Sequence, residues 1–183
     1  STPGTDPSAG AIAQYRWDLD NDGEYDDAMG ATPLFTSVGQ DGTFTIRLRV
    51  TNTAGVSDTA TTTITVTNVA PVVNLQSIAA AIEGATISLT GSGSDAGWLD
   101  PLTPTVNWDD GSGPQALPGT IEHVRPNATL TFSRPHVYGD NGAFVITVCV
   151  SDDDVTSCAA VTATIANVVP TAALMNSLGD SVQ

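Results

Sequence analysis

Basic charge is what this sequence has least of. There is no lysine, and five arginines stand against 20 acidic residues in 183, for a formal charge of -15. Nucleic acid and anionic membrane surfaces both require a basic footprint, so neither is expected as a partner, and cations are the better match. Glutamate is nearly as scarce, with only Glu24, Glu83 and Glu122. The acidity is therefore aspartate, which favours turns and loops where a short carboxylate meets the local backbone or a metal, whereas glutamate favours helices. No apolar run reaches the 18 or more residues needed to cross a bilayer, so no membrane insertion is expected. The N-terminus lacks the basic and apolar segments of a signal peptide, which predicts a mature or excised soluble piece. The missing lysine itself reads as codon usage and carries no function.

What is present is written twice. The segment "GTFTIRLRVTNTAGVSDTATTTITVTNVAP" at 42–71 is echoed by "GAFVITVCVSDDDVTSCAAVTATIANVVP" at 142–170. In the first, Phe44, Ile46, Leu48 and Val50 alternate with polar neighbours. In the second, Phe144, Ile146, Val148 and Val150 do the same. A period of two over eight residues is a strand with one buried face. Each copy then passes through a polar turn, "NTAG" or "DDDV", into a second alternating run that ends at a proline. That is a hairpin with a marked exit. Upstream, Trp17 aligns with Trp108 and Asp6 with Asp95. The chain is expected to be all-β, two tandem immunoglobulin-like sandwiches spanning 1–70 and 71–169, with 170–183 opening a third copy.

Within this frame "NWDDGSG" and "HVYGDNGAFVITVCVSD" of the second copy resemble the polycystic kidney disease (PKD) domain. That family is an immunoglobulin-like β-sandwich of extracellular proteins, and its hallmarks are a Trp-Asp-x-Gly-Asp-Gly turn, a His-x-Tyr and a strand ending in aspartate. The first copy, "RWDLDNDG" with "GTFTIRLRVTN", departs by lacking the His-x-Tyr and by placing Asn52 where the aspartate is usual. Trp17 and Trp108 are then expected as core anchors rather than stacking platforms. His136, in the family's His-x-Tyr position, is expected to bond structurally, since no acid or nucleophile stands near it at catalytic spacing.

Cys149 and Cys158 take the outward phase of two adjacent strands. A four-residue turn at 152–155 sets 151 opposite 156 and hence 149 opposite 158, so a cross-strand disulfide is expected and an oxidising, extracellular or cell-surface location with it.

The densest acidic stretch, "DLDNDGEYDD" at 18–27, carries six carboxylates in ten positions. Such groups repel. Asp18, Asp20 and Asp22 follow a D-x-D-x-D-G spacing, Gly23 permits a sharp bend and Asp26 arrives four residues later. Converging hard oxygens suit calcium. The twelfth position counted from Asp18 is Met29 instead of a bidentate glutamate, and no helices flank the loop, so it is not an EF-hand; the alternative is a solvated acidic turn. In the second copy the resemblance implies that Asp95, Asp109, Asp110 and Asp152 gather at one edge, as calcium ligands or as turn caps; Asp95, Asp110 and Asp152 are the candidate ligands there. Trp98 is read as a loop cover over the sandwich end, with carbohydrate stacking as its alternative. Asn127-Ala128-Thr129 is a glycosylation sequon.

Matched to the second copy, the first lacks an N-terminal strand, and the tail 170–183 corresponds to 71–84. An open edge invites strand addition. The expected partners are neighbouring repeats of a longer chain or other copies of itself, head to tail. The function expected is a noncatalytic, calcium-rigidified spacer in a bacterial surface or secreted protein. The alternative is an accessory module that docks a secreted enzyme onto polysaccharide or a collagen-like substrate. Carboxylate pairs for glycoside hydrolysis are a distant third, because the acids fall in loops that the repeat explains as turns.

Overall fold

The computed structural model describes residues 11–36 and 39–172. The missing N-terminal strand and most of the expected third-repeat opening fall outside these residues. The described chain is all-β. Its first copy contributes β1 (Ile12–Asp18), β2 (Ala28–Met29), β3 (Gly42–Asn52) and β4 (Ser57–Val66), hydrogen-bonded in the order β2-β1-β3-β4. The alternation dictates the faces. Trp17 pairs with Leu48 and Leu48 with Ala60, so one face carries Trp17, Phe44, Ile46, Leu48 and Val50 while the other carries the arginines and threonines. Threonine and serine hydroxyls link β3 to β4 across that polar face, as in Thr51 with Ser57 at 2.8 Å.

The second copy continues through the linker 67–71 into β5 (Val72–Leu75), β6 (Ala81–Ile82), β7 (Thr86–Asp95), β8 (Thr103–Asn107), β9 (Gln115–Ala116), β10 (Thr120–Val124), β11 (Asn127–Val137), β12 (Gly142–Ser151) and β13 (Thr156–Ala166). Two sheets result, β10-β11-β7-β5 and β6-β13-β12-β8-β9. β6 runs parallel to β13, which ties the first segment of the copy to the far sheet. The apolar phases of the two sheets close on one core. Ile87, Leu89, Leu130 and Phe132 come from one sheet, and Val106, Ile146, Val148, Val150 and Ile165 from the other. This is an immunoglobulin-like sandwich.

The two tryptophans differ. Trp108 is 1% exposed. Trp17 is half-buried, its Nε1 donating to the Gly30 carbonyl at 2.8 Å, and with Ile46, Leu48 and Ala60 it lines a groove of about 280 Å³. The reason is architectural: among the described residues the first copy supplies one sheet, with no second layer to lie over its apolar face.

Cys149 and Cys158 are directly opposed on β12 and β13 and joined by a disulfide. Asn52 resolves the first copy's departure from the family pattern. Its Oδ1 accepts from the N–H groups of Ala54 and Val56, each at 2.9 Å, and closes the β3–β4 turn. Asp152 does the same for β12–β13, accepting from Asp154 and Val155. An amide oxygen is sufficient where only backbone donors must be met.

Candidate functional site: two aspartate clusters

The loop between β1 and β2 folds around its own carboxylates. Asp20 and Asp22 each accept from the backbone N–H two residues on, at 3.2 and 2.8 Å, and Asp27 accepts from Leu19 and Asp20. Asn21 and Gly23 adopt φ of 64° and 95°, left-handed values that an asparagine tolerates and a glycine takes freely. The result brings one carboxylate oxygen each from Asp18, Asp20 and Asp22 within 4.8 Å of one another. Asp18 is 0% exposed. Its Oδ2 accepts from Gly23 at 3.1 Å, while Oδ1 is buried with no hydrogen-bond partner. A buried, unpaired carboxylate oxygen is costly. Asp26 is exposed and does not join the converging three; it is Asp27 that closes the loop.

A second cluster occupies the end of the sandwich that faces the first copy. Asp95 ends β7, Asp100 lies in the following loop and Asp152 begins the β12–β13 turn, so three separate segments deliver carboxylates to one place. Burial raises Asp95, an effect partly offset by the N–H of Gly97, and the neighbouring Asp152 and Asp153 raise it further. Burial first, then Asp153, Asp95 and Asp41, push Asp100 up to about 6. Asp152 goes the other way: burial raises it, but the Val155 N–H, the Asn68 amide and the Asp154 N–H outweigh burial and lower it. Asp152 is thus tied up as a turn cap, and Asn68 of the linker holds its second oxygen at 3.0 Å.

Asp110 stands elsewhere. Thr103 of β8 pairs with Ser151 beside Asp152, whereas Asn107 at the other end of the strand leads to Asp109 and Asp110. The length of β8 separates the two sites. At that far end Asp110 Oδ2 lies 3.1 Å from His136 Nε2, and Asp109 accepts from the Val145 N–H at 2.9 Å. His136 stacks on Trp108 with centroids 4.1 Å apart and stands T-shaped to Tyr138. These groups pack together at a structural end of the sandwich.

Trp98 also has a specific place. Its indole lies directly over Gly39 of the first copy, so close that any side chain there would collide with it, and Leu99 N–H donates to the Gly39 carbonyl at 3.1 Å. Arg125 lies 5.2 Å from the ring centroid, at cation–π distance. The Asn127 of the sequon is exposed at the start of β11. Sequence reasoning missed Asp41, Asp100, Asp153 and Asp154; only the run of three aspartates in the "DDDV" turn offered a signal.

No curated protein matches the chain. Among solved structures it is similar to the titin domains Z1Z2 in complex with telethonin, at 15% identity and a TM-score of 0.40, covering 86% of this chain and 83% of that one. It is also similar to an endo-fucoidan hydrolase of glycoside hydrolase family 107, at 20% identity and TM-score 0.35, covering 95% of this chain but 24% of that one. A third is the protocadherin gammaB7 EC3-6 cis-dimer structure, at 12% identity and TM-score 0.32, covering 87% and 43%. The PKD domain family model matches residues 68–167, the span that holds the buried Trp108, the His136–Tyr138 pair and the capping Asp152. Matched over more than half its length, the chain belongs to the PKD domain family.

Proposed function

We propose that this pair of modules is a noncatalytic, calcium-stiffened spacer in the extracellular part of a surface or secreted protein, with further repeats or copies of the chain as its neighbours. Domains of this family are typically extracellular, noncatalytic modules, and the cross-strand disulfide suits an oxidising compartment. No helix among the described residues is long and apolar enough to cross a membrane. The observation that carries the calcium reading is Asp18. A fully buried carboxylate with an unpartnered oxygen, set beside Asp20 and Asp22, fits a hard cation with oxygen ligands and fits a merely solvated turn poorly. Asp95, beside the capping Asp152, adds a second unpartnered oxygen for the same class of ion at the other cluster. When bound, calcium supplies positive charge that cancels carboxylate repulsion and fixes the loop. The polysaccharide-docking reading has weaker support, because Trp98, its candidate stacking residue, is engaged with Gly39 and Arg125.

The test is thermal unfolding of the full chain. Calcium binds only the folded loop and is expected to raise the melting temperature over that in chelator at matched ionic strength. Substituting both Asp20→Asn and Asp22→Asn should remove most of the rise. A wild-type melting curve indifferent to calcium overturns the reading.

A further inference from the structure

The contact between the two copies is more elaborate than a connecting peptide needs. Residues 39–41 and 66–69 of the first copy and its linker face Gly97 and Asp100 of the second across a cavity of about 220 Å³. Acidic side chains converge on this seam from both sides. Asp41, directly before β3, belongs to the first copy, and Asp153 and Asp154 lie in the β12–β13 turn of the second. Carboxylate oxygens of the three stand within 4.8 Å of one another. Two oxygens bound to one calcium are at most about 5 Å apart, given bonds of roughly 2.3 to 2.6 Å.

A second, independent observation comes from inside the cavity. Asp100 is 1% exposed and lines the same cavity as Asp41, yet its Oδ1 has no hydrogen-bond partner. The Oδ1 of Asn68, another lining residue, is buried and unpartnered too, as is Asp95 Oδ2 nearby. The lining contains no basic side chain that might satisfy them. Three orphaned acceptors and three converging carboxylates are a surplus of oxygen with nothing donating to it. Without a cation the seam joins like charges.

We propose that a calcium ion binds between the copies, bridging Asp41 of the first to Asp153 and Asp154 of the second, beside the unpartnered oxygen of Asp100, and thereby fixes the angle between them. Repulsion across the seam becomes attraction when the ion enters. The site deepens the spacer reading above and rests on it, but its ligands are other residues than those of the β1–β2 loop. Stiffness between modules then depends on the calcium concentration outside the cell, while each module stays folded.

The experiment uses the full chain, with calcium chloride as the probe. Spin labels at Thr63→Cys and Thr131→Cys, exposed positions on β4 and β11, report the distance between copies while the native disulfide stays oxidised. Calcium should narrow the distance distribution, and equal magnesium should leave it broad. Isothermal titration of the unlabelled chain should lose one calcium per chain in Asp41→Asn with Asp153→Asn, and that variant's labelled form should stay broad. The Asp20→Asn with Asp22→Asn variant should lose a different ion and still narrow. An unchanged wild-type distribution overturns the bridge, as does unchanged stoichiometry in the Asp41/Asp153 variant or equal narrowing by magnesium. Retained melting stabilisation in those cases leaves the loop site standing on its own.

Discussion

Tyr138 donates a 2.7 Å hydrogen bond from its hydroxyl to the main-chain carbonyl of Trp108, joining the end of β11 to the turn after β8 across the closed end of the sandwich. The tyrosine ring stacks on Phe144, with centroids 3.9 Å apart, and stands in a T-shaped arrangement with His136, which in turn stacks on Trp108. Burial pushes the Tyr138 hydroxyl up to about 12, so it stays a donor at any physiological pH. The aromatic residues of the family motif are thereby a clamp between sheets, and their work is structural.

Tyr138→Phe should therefore cost about 1 to 3 kcal/mol of stability, since a buried carbonyl loses its donor while the ring packing is kept. Denaturant unfolding measures it. A loss below about half a kcal/mol would mean that water replaces the hydroxyl.

The disulfide closes a short hairpin. Replacing Cys149 and Cys158 together by serine should cost roughly 2 to 3 kcal/mol in the chain-entropy model. Wild type under reducing conditions should unfold near the denaturant midpoint of the double variant, because both lack the same cross-link.

Asp110 supplies a pH dependence with a definite sign. The hydroxyl and N–H of Ser112 hold its carboxyl below the ordinary value of 3.8, and His136 adds to the effect. Because the folded value lies below the unfolded one, the stabilisation is complete above pH 3.8 and is lost as pH falls through the folded value. Asp110→Asn should be less stable than wild type at neutral pH, and the gap should close on acidification below pH 3.8. A gap of constant size from pH 7 to pH 2.5 would contradict this assignment.

Gly39 is held at φ +92° beneath the indole of Trp98. Alanine there faces both backbone strain and a collision, so the two copies must part locally. Gly39→Ala should expose Trp98 and shift its fluorescence to the red, with the second copy's own unfolding transition little changed. An unshifted spectrum would mean that the indole does not depend on the first copy for its cover.

Much of this architecture was legible in the sequence because it follows from local periodicity. Alternation at Phe44–Val50 and Phe144–Val150 set the faces, and the length of the "DDDV" turn set Cys149 opposite Cys158. Convergence of Asp18, Asp20 and Asp22 followed from alternate positions of one bent loop. What did not show was anything created by the meeting of distant segments. Asp41 and Asp100 sit in loops with no spacing motif, and only the docking of one copy against the other brings them together. Asp110 falls away from Asp95 and Asp152 because a motif says which loop a residue occupies but not at which end of the strand that loop emerges. Trp17 differs from Trp108 for a similar reason. Its depth depends on a second layer, which alternation within one sheet does not specify.

On the proposed reading, calcium enters this molecule at identifiable aspartates and stiffens it there. A calcium titration of the isotopically labelled full chain, followed by amide chemical shifts and relaxation, tests it residue by residue. Saturable shifts are expected, confined to Asp18–Asp27 and to the seam at Asp41, Asp100 and Asp153–Asp154, with reduced motion in both places at saturation. Amides that do not move with calcium, or that drift without saturation over the whole acidic surface, would contradict it.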